Sequence, residues 1–141
     1  MMISTGEPHL ITGSDIDDLI VRVRLNGTGT PEGDAALEAE LEAARTFLCS
    51  PGNPDPAVAR LVRQRLVVIA LRHGGALLAK LLARLSSRET AMVRRYAHRL
   101  ARFLDSLETW AAQPIMLALM RIGLCYAEAE DIAVTVLMFV W

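Results

Sequence analysis

Apolar residues return at three- and four-residue intervals through most of this chain, and nearly every such run follows a residue able to cap a helix. Ser14, with Asp17 three residues on, has the form of a capping box ahead of Ile16, Leu19, Ile20 and Val23, which share one helical face. Residues 26–34 end that helix. Thr30 and Pro31 then suit the cap and first turn of the next, with Leu37, Leu41, Ala44 and Leu48 facing inward and Glu32, Glu38, Glu40 and Glu42 on the wet side. The proline-rich stretch 49–56 is a loop, and Asp55 before Pro56 starts a helix running to His73. Gly74 and Gly75 bend the chain before 76–85. Ser86 and Glu89 form another capping box, opening a helix expected over 88–112 with Met92, Tyr96, Leu100, Phe103, Leu104 and Leu107 inward. Pro114 opens an apolar helix over 114–127, interrupted by Arg121, and the closing stretch follows. Residues 66–71 read as a strand in isolation, but their flanks are helical. The expectation is an all-α bundle of about six to seven helices, one domain over 14–141, preceded by a flexible segment over 1–13.

Composition limits function more than it defines it. The chain has 141 residues, half of them apolar, and a formal net charge of −1. That is a globular composition without the basic excess expected of a nucleic-acid binder. The N-terminus has no basic stretch followed by an apolar run, so a signal peptide is not expected and an intracellular site is. Cys49 and Cys125 are far apart and read as free thiols, Cys125 as a buried one, with one long-range disulfide between them as the alternative.

Catalytic chemistry finds no residues to rest on. His9, His73 and His98 lack metal-ligand spacing, and no nucleophile elbow, phosphate loop or dinucleotide fingerprint occurs. No cofactor or metal is expected. Arg94, Arg95, His98, Arg99 and Arg102 form a basic stripe, either a solvated face able to pair with the acidic helix or an anionic docking surface. Trp110 is expected in the core. Arg121 reads as a residue at the bundle edge or as one lining a groove that takes an acidic ligand side chain, because an unpaired internal charge is costly.

With the helices placed, three segments resemble the poxvirus Bcl-2-like family. Residues 14–27 look like its first helix, 96–110 followed by 114–128 like its fourth helix, tryptophan turn and central apolar helix, and 130–140 like its sixth. Residues 67–81 are similar to the second helix of the cellular proteins, with Gly75 as its glycine and Ala76 replacing its acid. The cellular N-W-G-R turn reads Thr109-Trp110-Ala111-Ala112 here, without the ligand-pairing arginine. The resemblance implies a Bcl-2-like bundle around a central apolar helix and a non-enzymatic viral protein of the host cytoplasm. Such a protein binds host signalling proteins to suppress NF-κB or interferon responses, here through Arg94, Arg95, Arg99 and Arg121. The alternative is an anti-apoptotic protein holding pro-death helices in a groove of Leu78, Leu81, Leu85, Tyr96 and Leu100; a helical scaffold or regulatory subunit is the third reading.

Residues 132–141 are uncharged. As a helix they rise only about 15 Å, whereas a membrane span needs roughly 20 residues, so no anchor is expected. The stretch is apolar nearly all round, which calls for cover. A homodimer built on Val21 and Leu25 of the first helix and Val134, Leu137 and Trp141 of the last would supply it.

Overall fold

The computed structural model describes residues 10–27, 29–50, 52 and 55–141. Eight helices run through them: α1 (Gly13–Asn26), α2 (Pro31–Cys49), α3 (Pro56–His73), α4 (Ala76–Leu82), α5 (Ser87–Arg95), α6 (Ala97–Ser106), α7 (Ala112–Arg121) and α8 (Tyr126–Val140). No strand occurs among the described residues, so the all-α reading holds, with more and shorter helices than the pattern implied.

The caps explain most helix starts. Thr30 accepts the Gly33 N–H ahead of Pro31, Asp55 accepts the Ala57 N–H ahead of Pro56, and Ser86 and Glu89 exchange hydrogen bonds in a full capping box. The first helix departs from expectation. Its box is Thr12 with Asp15, not Ser14 with Asp17. Asp15 is buried and also binds the Lys80 ammonium at 2.7 Å, a partner 65 residues away that no local pattern shows. Lys80 further donates to the Leu10 carbonyl, and Ile11 is buried in the core. Of the segment expected to be flexible, residues 1–9, with His9, lie outside the described residues; Leu10 to Gly13 belong to the packed domain.

The centre of the bundle is α3. It packs against α6, α8, α1, α4 and α2, and the consecutive residues Leu66 to Leu71 are all buried. A helix apolar on every side must be covered on every side. The apolar stretch 114–127 was expected in that role. Instead it is split, and α7 is peripheral, with Leu117 and Met120 exposed. Its break is a Schellman closure: Leu124 N–H reaches the Leu119 carbonyl, Gly123 N–H the Met120 carbonyl, and Gly123 takes φ +110°. Cys125, expected to be buried, is exposed and caps α8 together with Glu128.

The helix expected over 88–112 breaks twice. Tyr96 adopts φ −111°, ψ 19°, a kink that lets α5 bury Val93 while α6 turns Leu100, Ala101 and Leu104 inward. The second break follows Ser106. There the Trp110 indole N–H donates to the Leu104 carbonyl at 3.0 Å, and the Leu107 N–H joins it at 3.2 Å. The Leu104 carbonyl is thus satisfied without another helical turn, and Trp110 lies in the core as expected.

Candidate functional site

Charge on this surface is divided unevenly. Arg24 of α1 meets Glu38 at 2.5 Å, Arg65 of α3 meets Glu40 at 2.6 Å, and Arg45 of α2 meets Asp17 of α1 at 2.6 Å, so Glu38 and Glu40 on α2 pair with α1 and α3. They do not pair with the basic stripe, because packing sets α2 against α1 and α3. The stripe itself spans the kink: Arg94 and Arg95 close α5, while His98, Arg99 and Arg102 lie on α6, all exposed. None of these arginines has an ion pair among the described residues. Arg95 and Arg99 lie 5.4 and 5.6 Å from the ring centre of the half-buried Tyr96, within cation–π range.

The fold brings Arg121 to the same place. It is exposed in the last turn of α7, and with Arg99 it borders a cleft of about 170 Å³ between α6 and α7. Leu100, Phe103, Leu119 and Ile122 line the cleft. Two cations from separate helices thus flank an apolar depression. Of the four residues proposed for partner binding, Arg99 and Arg121 meet at this cleft, and Arg94 and Arg95 continue the positive face along α5.

The expected groove does not form where it was placed. Leu78, Leu81 and Leu100 are buried core residues, while Leu85 and Tyr96 are half-buried. The reason is that α4 is only seven residues long and lies against α1 and α3, so its leucines are covered by the bundle itself. An apolar groove of about 460 Å³ opens instead between α2 and α3, with Phe47, Val58, Leu61 and Val62 on its walls. Leu61 is 62% exposed, a large apolar side chain left to water at its edge.

The residues assigned to a dimer face are placed as follows. Val21, Leu25, Val134 and Trp141 are exposed, whereas Leu137 is half-buried against the core and Met138 takes its place on the outer side of α8. Trp141 is not bare on both faces, since the Arg60 guanidinium stacks 3.5 Å from its ring centre.

One feature escaped the sequence pattern. A cavity of about 680 Å³ lies where the end of α1, the start of α2, the end of α3 and the start of α6 converge. His73 and His98 both line it, although 25 positions separate them and they occupy different helices. Burial, then the charges of Arg72 and His98, hold the His73 imidazole below its ordinary pKa, with Asp34 opposing. Among the described residues no cluster of His, Cys, Asp or Glu is arranged to hold a metal ion, and no helix is long and apolar enough to cross a membrane.

No curated protein and no solved structure matches the chain. One family model does, over residues 58–141. The match begins near the start of α3 and takes in the central helix, the Arg99–Arg121 cleft and α8, leaving out α1 and α2. With more than half of its length matched, the chain belongs to the family described as "Uncharacterised protein YqxI".

Proposed function

We propose that this protein is a non-enzymatic binding module that docks an acidic, amphipathic segment of a partner protein on the α5–α6–α7 face. The observation that carries this reading is the pairing of Arg99 and Arg121 across an apolar cleft, beside arginines that lack carboxylate partners among the described residues. An apolar side chain of the partner fills the cleft and its carboxylates meet the two guanidinium groups, which favour planar, bidentate contacts. Steering by the positive face makes association salt-sensitive. The test is fluorescence anisotropy with a panel of acidic amphipathic peptides, comparing the natural chain with an Arg99→Glu, Arg121→Glu double variant. Binding weakened by about tenfold or more in the variant, and by added salt, supports the reading. It fails if no peptide binds below roughly tens of micromolar, or if the variant binds as well.

The resemblance to poxvirus Bcl-2-like proteins gives the partner a class, a host signalling protein of the NF-κB or interferon pathways. Stimulated cells expressing the chain with undiminished reporters for both pathways would remove that host-directed role.

The α2–α3 groove favours a second reading, capture of an amphipathic helix by its apolar face. Titration with pro-death helical peptides, read against Leu61→Glu, separates it from the arginine cleft. The exposed stripe of Val134, Met138 and Trp141 supports self-association through α8 and the outer face of α1.

A further inference from the structure

A packing fault between helices is lined by whatever aliphatic side chains happen to turn toward it. The cavity at the junction of α1, α2, α3 and α6 is built differently. Its volume of about 680 Å³ is in the range of small-molecule sites. Asn26, Arg72, His73 and His98 stand on its walls, and the small residues Gly27, Gly33 and Ala36 line it too.

The polar groups there are unequally engaged. Arg65 is committed, holding Glu40 through two hydrogen bonds of 2.6 and 3.4 Å and Asp105 through one of 3.4 Å. Glu40, the carboxylate on the cavity wall, is therefore neutralised in place. Among the described residues Arg72 has only a long contact of 3.6 Å to Asp105, which leaves most of its guanidinium donors without a partner there. The side chains of Asn26, His73 and His98 have no hydrogen-bond partner among the described residues. The amino end of α2 supplies no free donor at Gly33, whose N–H is taken by Thr30.

We propose that this cavity binds a small phosphate-bearing anion, with Arg72 gripping one edge of the phosphate and the His73 and His98 imidazoles donating to its other oxygens. Three groups able to be cationic, from two helices, match an acceptor with three terminal oxygens. The charges acting on His73 are Arg72 on α3, His98 on α6 and Asp34 on α2; Arg65 and Glu40 share the cavity wall, and Asp105 lies against Arg72. Burial, and then the cations beside it, disfavour protonation of His73. A bound dianion reverses that balance, so binding takes up protons and tightens as pH falls through the imidazole range.

The experiment is an NMR titration of the full chain, following the His73 and His98 imidazole signals with glycerol 3-phosphate, inorganic phosphate and glycerol. Saturable shifts of both imidazoles with a phosphate probe, about tenfold tighter near pH 6 than near pH 8, are expected. Tighter binding of the ester assigns the site to a phosphorylated molecule; equal or tighter binding of inorganic phosphate assigns it to the free ion. Arg72→Gln weakens binding by about tenfold or more, and Arg94→Gln, outside the cavity, leaves it unchanged. Because Arg72 is partly exposed and only loosely paired, its variant is expected to keep the native helical circular dichroism; His98→Gln, on an exposed residue, provides a second folded variant with the same expected loss. The proposal is overturned if neither phosphate probe shifts the imidazoles at about 10 mM, if glycerol shifts them equally, or if both variants bind like the natural chain.

Discussion

Arg63, in the middle of the central helix, donates its Nε–H to the backbone carbonyl of Val140 at 2.9 Å, joining residues 77 positions apart. Arg63 is only 6% exposed and has no carboxylate partner among the described residues. Burial, reinforced by the neighbouring Arg60 charge, lowers its pKa from the ordinary guanidinium value. This buried bond ties the last turn of α8 to the centre of the bundle.

Replacing Arg63 with Met keeps much of the aliphatic stem but leaves the buried Val140 carbonyl without its donor. An unsatisfied buried acceptor costs about 1–3 kcal/mol. Urea denaturation of Arg63→Met is expected to show a loss of that size, with Trp141 fluorescence changing as the end of α8 loosens. An unchanged midpoint would mean that the bond contributes nothing to stability.

The turn before α4 depends on two glycines for different reasons. Gly74 has φ +76° with open space where a Cβ would stand, whereas Gly75 has φ +105° and lies against the Asp18 carboxylate and the Arg22 side chain. Asp18 is there because it accepts the Ala76 N–H at 2.8 Å and so caps α4 from another helix. Gly74→Ala is expected to cost about 1–3 kcal/mol through backbone strain alone. Gly75→Ala carries the same strain and a steric clash, so its denaturation midpoint falls further. Equal losses would contradict the close approach of α1 to this turn.

Stability should fall on mild acidification. The folded pKa of His73 lies below its ordinary 6.5, so the unfolded chain takes up this proton at higher pH than the folded one. The contribution of neutral His73 is intact above about pH 6.5 and is lost as pH drops through that value toward the folded pKa. Glu128 acts in a more acidic window. Its hydrogen bond from the Cys125 N–H, with help from Arg88, lowers its pKa from 4.5, so its contribution is present above that value and lost as pH falls through the folded pKa. Urea midpoints should decline between about pH 7.5 and pH 5.5. His73→Asn should flatten that decline, while Glu128→Gln leaves it in place. A decline unaffected by His73→Asn would assign it to other groups.

Self-association through α8 predicts a concentration-dependent sedimentation coefficient that Val134→Glu with Met138→Glu abolishes. Both residues are nearly half exposed, so the variant is expected to retain its helical circular dichroism. A natural chain that sediments as a monomer at every concentration would eliminate this interface.

Local chemistry made several helix starts legible. The starts at Thr30-Pro31, Asp55-Pro56 and Ser86–Glu89 depend on residues within a turn of one another, and the inward stripe of Ile16, Leu19, Ile20 and Val23 follows from helical spacing alone. The basic stripe was equally visible, because arginines at helical spacing share a face before anything packs on it. Where long-range contacts compete, the pattern misled. Lys80 draws Asp15 into the cap of α1, Trp110 takes the Leu104 carbonyl and ends α6, and the Gly123 closure removes the apolar 114–127 stretch from the centre. The groove expected from Leu78 and Leu81 vanished for the same reason, since only packing decides whether an apolar face is covered. The meeting of Arg99 with Arg121, and of His73 with His98, likewise needs two helices brought together. Sequence by itself determined which segments coil and which faces are apolar or charged, because those depend on neighbours within about one turn of helix. The tertiary structure alone decided which faces are buried and which charges share a cleft, because both depend on residues tens of positions apart.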